Sequence, residues 1–212
     1  MEIISFLLLY SLFTVSIIGY GLFFSLKLTK YNNFTKTNIS VGYLGLLGIF
    51  SLIFISYFTN LFFAHTNEHN IIIILLGIIF FFYLRSKYQK KIKLKYFFIS
   101  YIISLFAIFY FKSHDDFQFY HFSFIKNITE HKIEFGLGHF NYAFSHVSSL
   151  FYFNSLFKTY FTGHYFYQVG QLSVMILANT ILLENIFNRS KNSKLNLIFF
   201  VSLFCIFFIN IF

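Results

Sequence analysis

The chain has 212 residues, of which 58% are hydrophobic, 25% aromatic and only 11% charged, and its mean hydropathy is +0.70. This composition excludes an ordinary soluble globular domain and indicates an all-α, polytopic membrane protein. The net charge is +9, but most of the basic residues are divided among three loops and do not form the single surface that nucleic acid requires. Nucleic acid is therefore not an expected partner, whereas the lipid bilayer is.

Six apolar segments have, or approach, the roughly 17 to 25 residues that a helix needs to cross the hydrocarbon core. The predicted spans are residues 3–26, 41–63, 70–84, 96–111, 165–186 and 195–212. The third and fourth are short, and lysines at their ends lengthen them by snorkelling. Residues 1–212 are thus expected to form a single transmembrane domain. The apolar ending suits a final helix, and it suits equally the N-terminal part of a longer protein.

Charge in the loops predicts the orientation, because short cytoplasmic loops carry the excess of Lys and Arg. The first, third and fifth loops are basic, whereas the second, with the sequence AHTNEHN, contains no Lys or Arg. The odd-numbered loops are therefore expected inside the cell. The N-terminus and the long fourth loop, residues 112–164, are expected outside.

The fourth loop carries most of the chain's chemistry, with four of its seven acidic residues and six of its eight histidines between His114 and His164. The residues at positions 117, 121, 124, 125 and 128, which are apolar except for the histidine at 121, lie at close to helical spacing. This pattern predicts a helix over residues 116–131 that lies in the membrane interface. A second apolar stretch, residues 147–157, is too short to span and predicts an interfacial or re-entrant helix.

Two adjacent carboxylates, Asp115 and Asp116, come at the start of the first of these predicted helices. They suit the N-terminal cap of a helix, where the dipole favours negative charge. A carboxylate there also suits catalysis, because it can hold a divalent cation or deprotonate an acceptor hydroxyl. Spacing alone does not separate the two interpretations.

A zinc-protease pattern, HxxEH, is formed by His65, Glu68 and His69 in the second loop. The loop is a short turn without a clear third ligand, so an ordinary interfacial loop is the favoured interpretation. The chain lacks a GxSxG elbow and a Gly-rich phosphate loop, so neither nucleophilic nor nucleotide hydrolysis is indicated.

Residues 116–151 resemble a segment of bacterial polytopic membrane proteins similar to GT-C glycosyltransferases, which build surface polysaccharides from lipid-linked sugars. The matching residues are Asp116, Tyr120, His121, Lys126, Gly136, Leu137, Gly138, Phe144, Ser148, Ser149 and Phe151. His139, Asn141, Ala143 and Val147 depart from the pattern, which has Asn, His, Arg and Asn there. An arginine at position 143 would be suited to gripping phosphate.

The resemblance implies sugar transfer from a lipid-phosphate donor at the outer face of a bacterial inner (plasma) membrane. It implies catalytic roles for Asp116 and Asp115, with Mg²⁺ or Mn²⁺ as a cofactor that Asp116 could hold. It also implies that substrate is bound by residues of the same segment, namely Tyr120, His121, Lys126, His139 and Asn141.

Two other classes of function remain open from the sequence. The chain could be a non-catalytic, span-rich subunit of a membrane complex, or it could belong to a transporter or polymerase of lipid-linked polysaccharide. A transporter is expected to carry ionisable groups within its spans, and the first four spans nearly lack them.

Overall fold

The computed structural model describes residues 3–28, 39–88, 92–109, 117–145, 147–189 and 201. These residues form a helical bundle with one minimal pair of strands. The long helices are α1 (Ile3–Leu28), α2 (Val41–Asn60), α3 (Asn67–Tyr88), α4 (Lys95–Phe109) and α8 (Val169–Arg189). The short helices are α5 (Phe122–Glu130), α6 (Leu137–Phe140) and α7 (Ser149–Ser155), accompanied by a π-helical turn, Phe117–His121, and two 3₁₀ turns, Tyr142–Ser145 and His164–Gln168.

Four helical segments are long and apolar enough to cross a membrane: Ile4–Leu28, Val41–Asn60, Asn67–Ser86 and His164–Glu184. They correspond to predicted spans one, two, three and five, although the third begins three residues earlier than expected. The fourth predicted span is observed as α4, whose 15 residues extend only about 22 Å at the usual helical rise. Of the sixth predicted span, residues 195–212, only Val201 is among the described residues.

Glycine allows α1 to lie unusually close to two neighbouring helices. A Cβ placed on Gly19 would lie 1.9 Å from the carbonyl oxygen of Gly77 in α3, and one placed on Gly48 of α2 would lie 1.9 Å from the carbonyl oxygen of Ile17. Only residues without a side chain permit such backbone contact, and small residues perform this role between helices in lipid. The packing of α1 against α2 and α3 therefore depends on these glycines.

Helix α8 completes the bundle by packing against α2 and α4. Leu177 lies against Gly42 and Gly45 of α2. On its other side, the hydroxyl of Ser100 in α4 donates a 2.7 Å hydrogen bond to the carbonyl of Ile176. The helices thus enclose one apolar core with few polar contacts, as expected where helices meet by close packing.

The two ends of the bundle differ in what they bring together. At one end, strands β1 (Ile39–Ser40) and β2 (Ile92–Lys93) pair in parallel, which joins the first and third loops. At the other end of α2, the His65 amide donates to the carbonyl of Ile128 at 3.0 Å, which joins the second loop to the long fourth loop. This grouping of loops is the one that the charge pattern predicts.

Candidate functional site

The end of the bundle that holds the second loop is covered by residues 117–168, here called the loop layer. Its first helix, α5, is amphipathic as predicted: Phe124, Ile125 and Ile128 are buried, whereas Lys126 and Glu130 are about half exposed and form an ion pair at 3.8 Å. The apolar face of α5 therefore fixes the helix to the bundle. Its charged face is left on the outside.

Helix α7 anchors the middle of the loop layer. Ser148 caps it by accepting a hydrogen bond from the Leu150 amide at 3.3 Å, and Phe151, Tyr152 and Phe153 are all buried. The ring of Phe153 belongs to the main apolar core, together with residues of α1 and α2. The predicted second apolar helix is thus present, and it is inserted among the ends of the long helices.

His65 is fully buried beneath α7, with both ring nitrogens hydrogen-bonded. Its Nδ1 lies 2.6 Å from the Ser155 hydroxyl, and its Nε2 lies 3.2 Å from both the Ser56 carbonyl and the Thr59 hydroxyl. The Ser155 hydroxyl in turn donates a 2.7 Å hydrogen bond to the Tyr152 carbonyl, so His65 is part of a hydrogen-bonded chain that links the second loop to α7. Burial, and to a lesser degree the neighbouring His69 ring, lower the pKa of His65 to about 3.

Two buried asparagines flank His65 and bind backbone carbonyls of the loop layer. The Asn60 amide nitrogen lies 3.2 to 3.4 Å from the carbonyls of Phe63, Ile128 and His131. The Asn70 amide nitrogen lies 2.8 Å from the carbonyls of Ser155 and Lys158, and 3.1 Å from that of His65. Asn60, His65 and Asn70 are referred to below as the polar clamp.

The polar clamp gives the HxxEH pattern a structural role. His69 stacks on His65 with ring centroids 4.8 Å apart, and its Nδ1 lies 3.0 Å from the Asn70 side-chain oxygen. The Glu68 carboxylate accepts a hydrogen bond from the Tyr160 hydroxyl. Among the described residues, no group of three or more His, Cys, Asp or Glu side chains is placed to hold a metal ion.

The structure brings together only some of the residues that the sequence indicates for substrate binding. Tyr120 and His121 are in ring contact at 4.3 Å, and the His121 ring lies 4.7 Å from that of Phe151. Lys126 is on the outer face of α5, paired with Glu130. The described contacts do not join Lys126 to the Tyr120 and His121 pair.

The remaining predicted residues divide into exposed and undescribed positions. His139 is exposed on α6, and the Asn141 side-chain oxygen accepts a hydrogen bond from the Ala143 amide at 3.0 Å, which stabilises a turn. Asp115 and Asp116, the predicted catalytic and metal-binding carboxylates, lie outside the described residues.

A cavity of about 190 Å³ opens between α5 and the segment that follows it. Its polar lining includes Asn60, Asn127 and Glu134, and its apolar lining includes Phe144 and Tyr152. Asn127 donates a 3.2 Å hydrogen bond to the Glu134 carboxylate. Burial raises the pKa of Tyr152 to about 12, so its hydroxyl stays protonated.

Glycines of the sugar-transferase-like motif form one wall of this cavity. Gly136, Leu137 and Gly138 all line it, and Gly136 has a positive φ of 88°. A left-handed conformation of this kind strongly favours glycine. The motif therefore shapes the turn that closes the cavity.

Several residues of the site did not stand out in the sequence. Asn60 and Asn70 occur where apolar spans end, a position at which polar residues are usual, so their burial gave no local signal. Glu134 lies between the two predicted helices of the fourth loop, residues 116–131 and 147–157, and no motif or spacing marks it. The available signal was the pair of asparagines bracketing a loop without Lys or Arg.

The lowered pKa of His65 predicts a specific pH dependence of stability. The folded state resists protonation while the unfolded state titrates near 6.5, so stability is full above pH 6.5 and falls as pH drops from 6.5 towards 3. At pH 5 the loss is expected to be about 2 kcal/mol. Thermal unfolding in detergent at pH 7.5 and 5.0 measures it.

The His65→Gln variant carries no titratable ring and should show a smaller fall in melting temperature between the two pH values than the wild type. The matched control is His164→Gln, which removes an exposed imidazole and should keep the wild-type slope. Identical slopes in all three proteins would show that His65 does not resist protonation.

The family model described as Domain of unknown function (DUF8201) matches residues 1–212. No curated protein and no solved structure matches the chain. Because the family match covers the whole chain, the protein belongs to this family, whose function is unknown.

Proposed function

We propose that the protein is an integral membrane glycosyltransferase-like protein that transfers sugar from a lipid-phosphate donor at the extracytoplasmic face. The observation that carries the proposal is the cavity of the loop layer. Gly136, Leu137, Gly138 and Phe144, which belong to the resemblance with sugar transferases, line one cavity. Motif residues that meet around a cavity are better explained by binding than by packing alone.

The proposal includes an orientation in the membrane. The loop layer faces outward, the N-terminus is outside, and the host membrane is a bacterial inner membrane. Support comes from basic residues at the opposite end of the bundle, near the paired strands. Lys27 lies in the last turn of α1, Arg85 lies in the last turns of α3 and Lys95 is the first residue of α4. Basic residues concentrate on the cytoplasmic side of membrane proteins.

The proposed chemistry is displacement at the anomeric carbon. The acceptor hydroxyl loses its proton and bonds to this carbon, and the bond to the donor phosphate oxygen breaks. Asp116 serves as the base or holds Mg²⁺ or Mn²⁺, with Asp115 in support. Such a cation would neutralise charge on the departing phosphate. The proposed phosphate contacts are Lys126, His121 and His139 of the same segment.

A second candidate, a non-catalytic subunit of a membrane complex, is favoured by the surface of α3. Ile72, Leu75, Ile79 and Phe82 are each more than half exposed and recur at helical spacing along one face. Such a face can be covered by lipid or by the helices of a partner protein. A transporter or polymerase of lipid-linked polysaccharide remains the third alternative.

Replacement of Asp116 separates the enzyme from the subunit. Asp116→Asn preserves the size and capping ability of the side chain but removes its charge, so folding should change by at most about 1 kcal/mol. Transfer of radiolabelled sugar from lipid-linked donor in native membranes should fall about a hundredfold or more.

The matched control is Glu68→Gln, which makes the same acid-to-amide change at an exposed carboxylate, keeps an oxygen that accepts from Tyr160 and should leave transfer unchanged. Wild-type transfer in Asp116→Asn, and also in the Asp115→Asn, Asp116→Asn double variant, would contradict the catalytic assignment.

Thiol labelling tests the orientation. In a background with Cys205→Ser, a cysteine at the exposed Ser145 of the loop layer should react with a membrane-impermeant maleimide in intact cells. A cysteine at the exposed Ser86, near the end of α3, should react only after permeabilisation. The reverse pattern would place the loop layer in the cytoplasm and exclude transfer at the outer face.

A further inference from the structure

The cavity of the loop layer has one buried polar atom without a partner. Asn60 is 1% exposed, and its side-chain oxygen accepts no hydrogen bond from any described residue. The amide cannot be flipped to relieve this, because its nitrogen already faces the carbonyls of Phe63, Ile128 and His131. An unpaired buried acceptor costs about 1 to 3 kcal/mol. Less than 1 Å² of this oxygen is accessible, so it lies within the cavity wall, and the acceptors that a ligand in the cavity can reach belong to Glu134 and Asn127.

The other polar groups of the cavity also accept. The Glu134 carboxylate receives one hydrogen bond from Asn127 and retains further lone pairs, and the Asn127 side-chain oxygen is itself an acceptor. The cavity thus offers carboxylate and amide oxygens and carries negative charge. A phosphate or other anion would be repelled, whereas a neutral group with several hydroxyl donors fits.

Aromatic rings provide the remaining contacts of such a ligand. Phe124, Phe135, Phe144 and Tyr152 line the cavity, and the faces of aromatic rings are electron-rich. Those faces suit the polarised C–H groups of a sugar ring, while the acceptors suit its hydroxyls. The volume of about 190 Å³ exceeds many times the roughly 10 to 15 Å³ needed by one water. It is below the roughly 300 to 1,000 Å³ of drug-sized sites.

We propose that this cavity binds a single neutral sugar ring, with hydroxyls donating to Glu134 and Asn127. The inference rests on the proposed function and extends it by assigning the phosphate and the sugar to different places. The anionic phosphate belongs with cationic side chains of the loop layer, and the sugar belongs in the acceptor-lined cavity. The ring can come from the lipid-linked donor or from the saccharide acceptor.

Saturation-transfer NMR on the protein in nanodiscs tests the assignment in two arms. One arm uses free D-glucose, D-galactose and N-acetyl-D-glucosamine, and the other uses polyprenyl-phosphate-linked versions of the same sugars. Binding by the wild type is expected in at least one arm. Binding of the free sugars alone would identify an acceptor ring, and binding of the lipid-linked forms alone would identify the donor ring.

Three variants locate the binding. Val147 lines the cavity and is 38% exposed, so Val147→Phe fills the entrance and should abolish the signal. Glu134→Gln keeps the shape but weakens a charge-assisted acceptor, so affinity should fall about tenfold. Glu130→Gln is the matched control, because Glu130 lies outside the cavity and pairs with Lys126, and it should bind like the wild type.

Absence of sugar binding in both arms would overturn the inference, and so would binding that is unchanged in Val147→Phe and Glu134→Gln. Binding of Mn²⁺ in place of any sugar, lost in Glu134→Gln, would overturn it too. Failure of the proposed function is distinguishable: sugar binding would persist while transfer did not depend on Asp116. Conversely, transfer that depends on Asp116 but is unchanged in Val147→Phe would support the proposed function and show that the cavity has no part in it.

Discussion

The arrangement of the loop layer depends on hydrogen bonds from the polar clamp to backbone carbonyls. Asn60 ends α2 and Asn70 lies in the first turn of α3, so their side chains are held by two rigid helices. Each presents its amide nitrogen to carbonyls of the loop layer, while His65 bonds to α7 through Ser155. Buried carbonyls without a donor cost about 1 to 3 kcal/mol each. The clamp therefore both satisfies the loop backbone and fixes where α5 and α7 lie.

This arrangement connects the membrane helices to the candidate binding site. Asn60 belongs to the clamp and also lines the cavity, so the same residue holds the loop and forms part of the cavity wall. The opposite wall is built from Gly136, Leu137 and Gly138. A cavity made from a helix end and a docked loop is rigid on one side, which suits a binding site whose ligand arrives from the membrane surface.

Features with a local cause could be predicted from the sequence, and features with a non-local cause could not. Helix α5 was predictable because the apolar residues between positions 117 and 128 recur with a period close to 3.6 residues. The membrane character followed from composition, and four helices long and apolar enough to span confirm it. The prediction of six spans is not confirmed, because α4 is short within the described residues and only Val201 of residues 195–212 is described. The role of Asn70 was not predictable, since its partners Ser155 and Lys158 are more than 80 residues away.

The candidate chemistry follows the same division. Tyr120 and His121 are adjacent in sequence, and the resemblance implies that both bind substrate. Their rings are in contact. Glu134 and Asn60 come from distant segments, and only the folded chain places both beside one cavity. The loop layer thus has hydrogen-bond acceptors in the cavity and the cationic side chain of Lys126 outside it.

Hydrogen exchange of the Asn70→Ala variant in nanodiscs tests the central role of the clamp most directly. Removing the Asn70 amide leaves the carbonyls of Ser155 and Lys158 without its donor, so amides of α7 and of the following turn should exchange about tenfold faster or more. Exchange in residues 19–28 of α1, which lie towards the paired strands at the other end of the bundle, should stay as in the wild type, and Asn67→Ala should behave like the wild type throughout. Unchanged protection of α7 in Asn70→Ala would contradict the account, because the loop layer would then be held without the clamp.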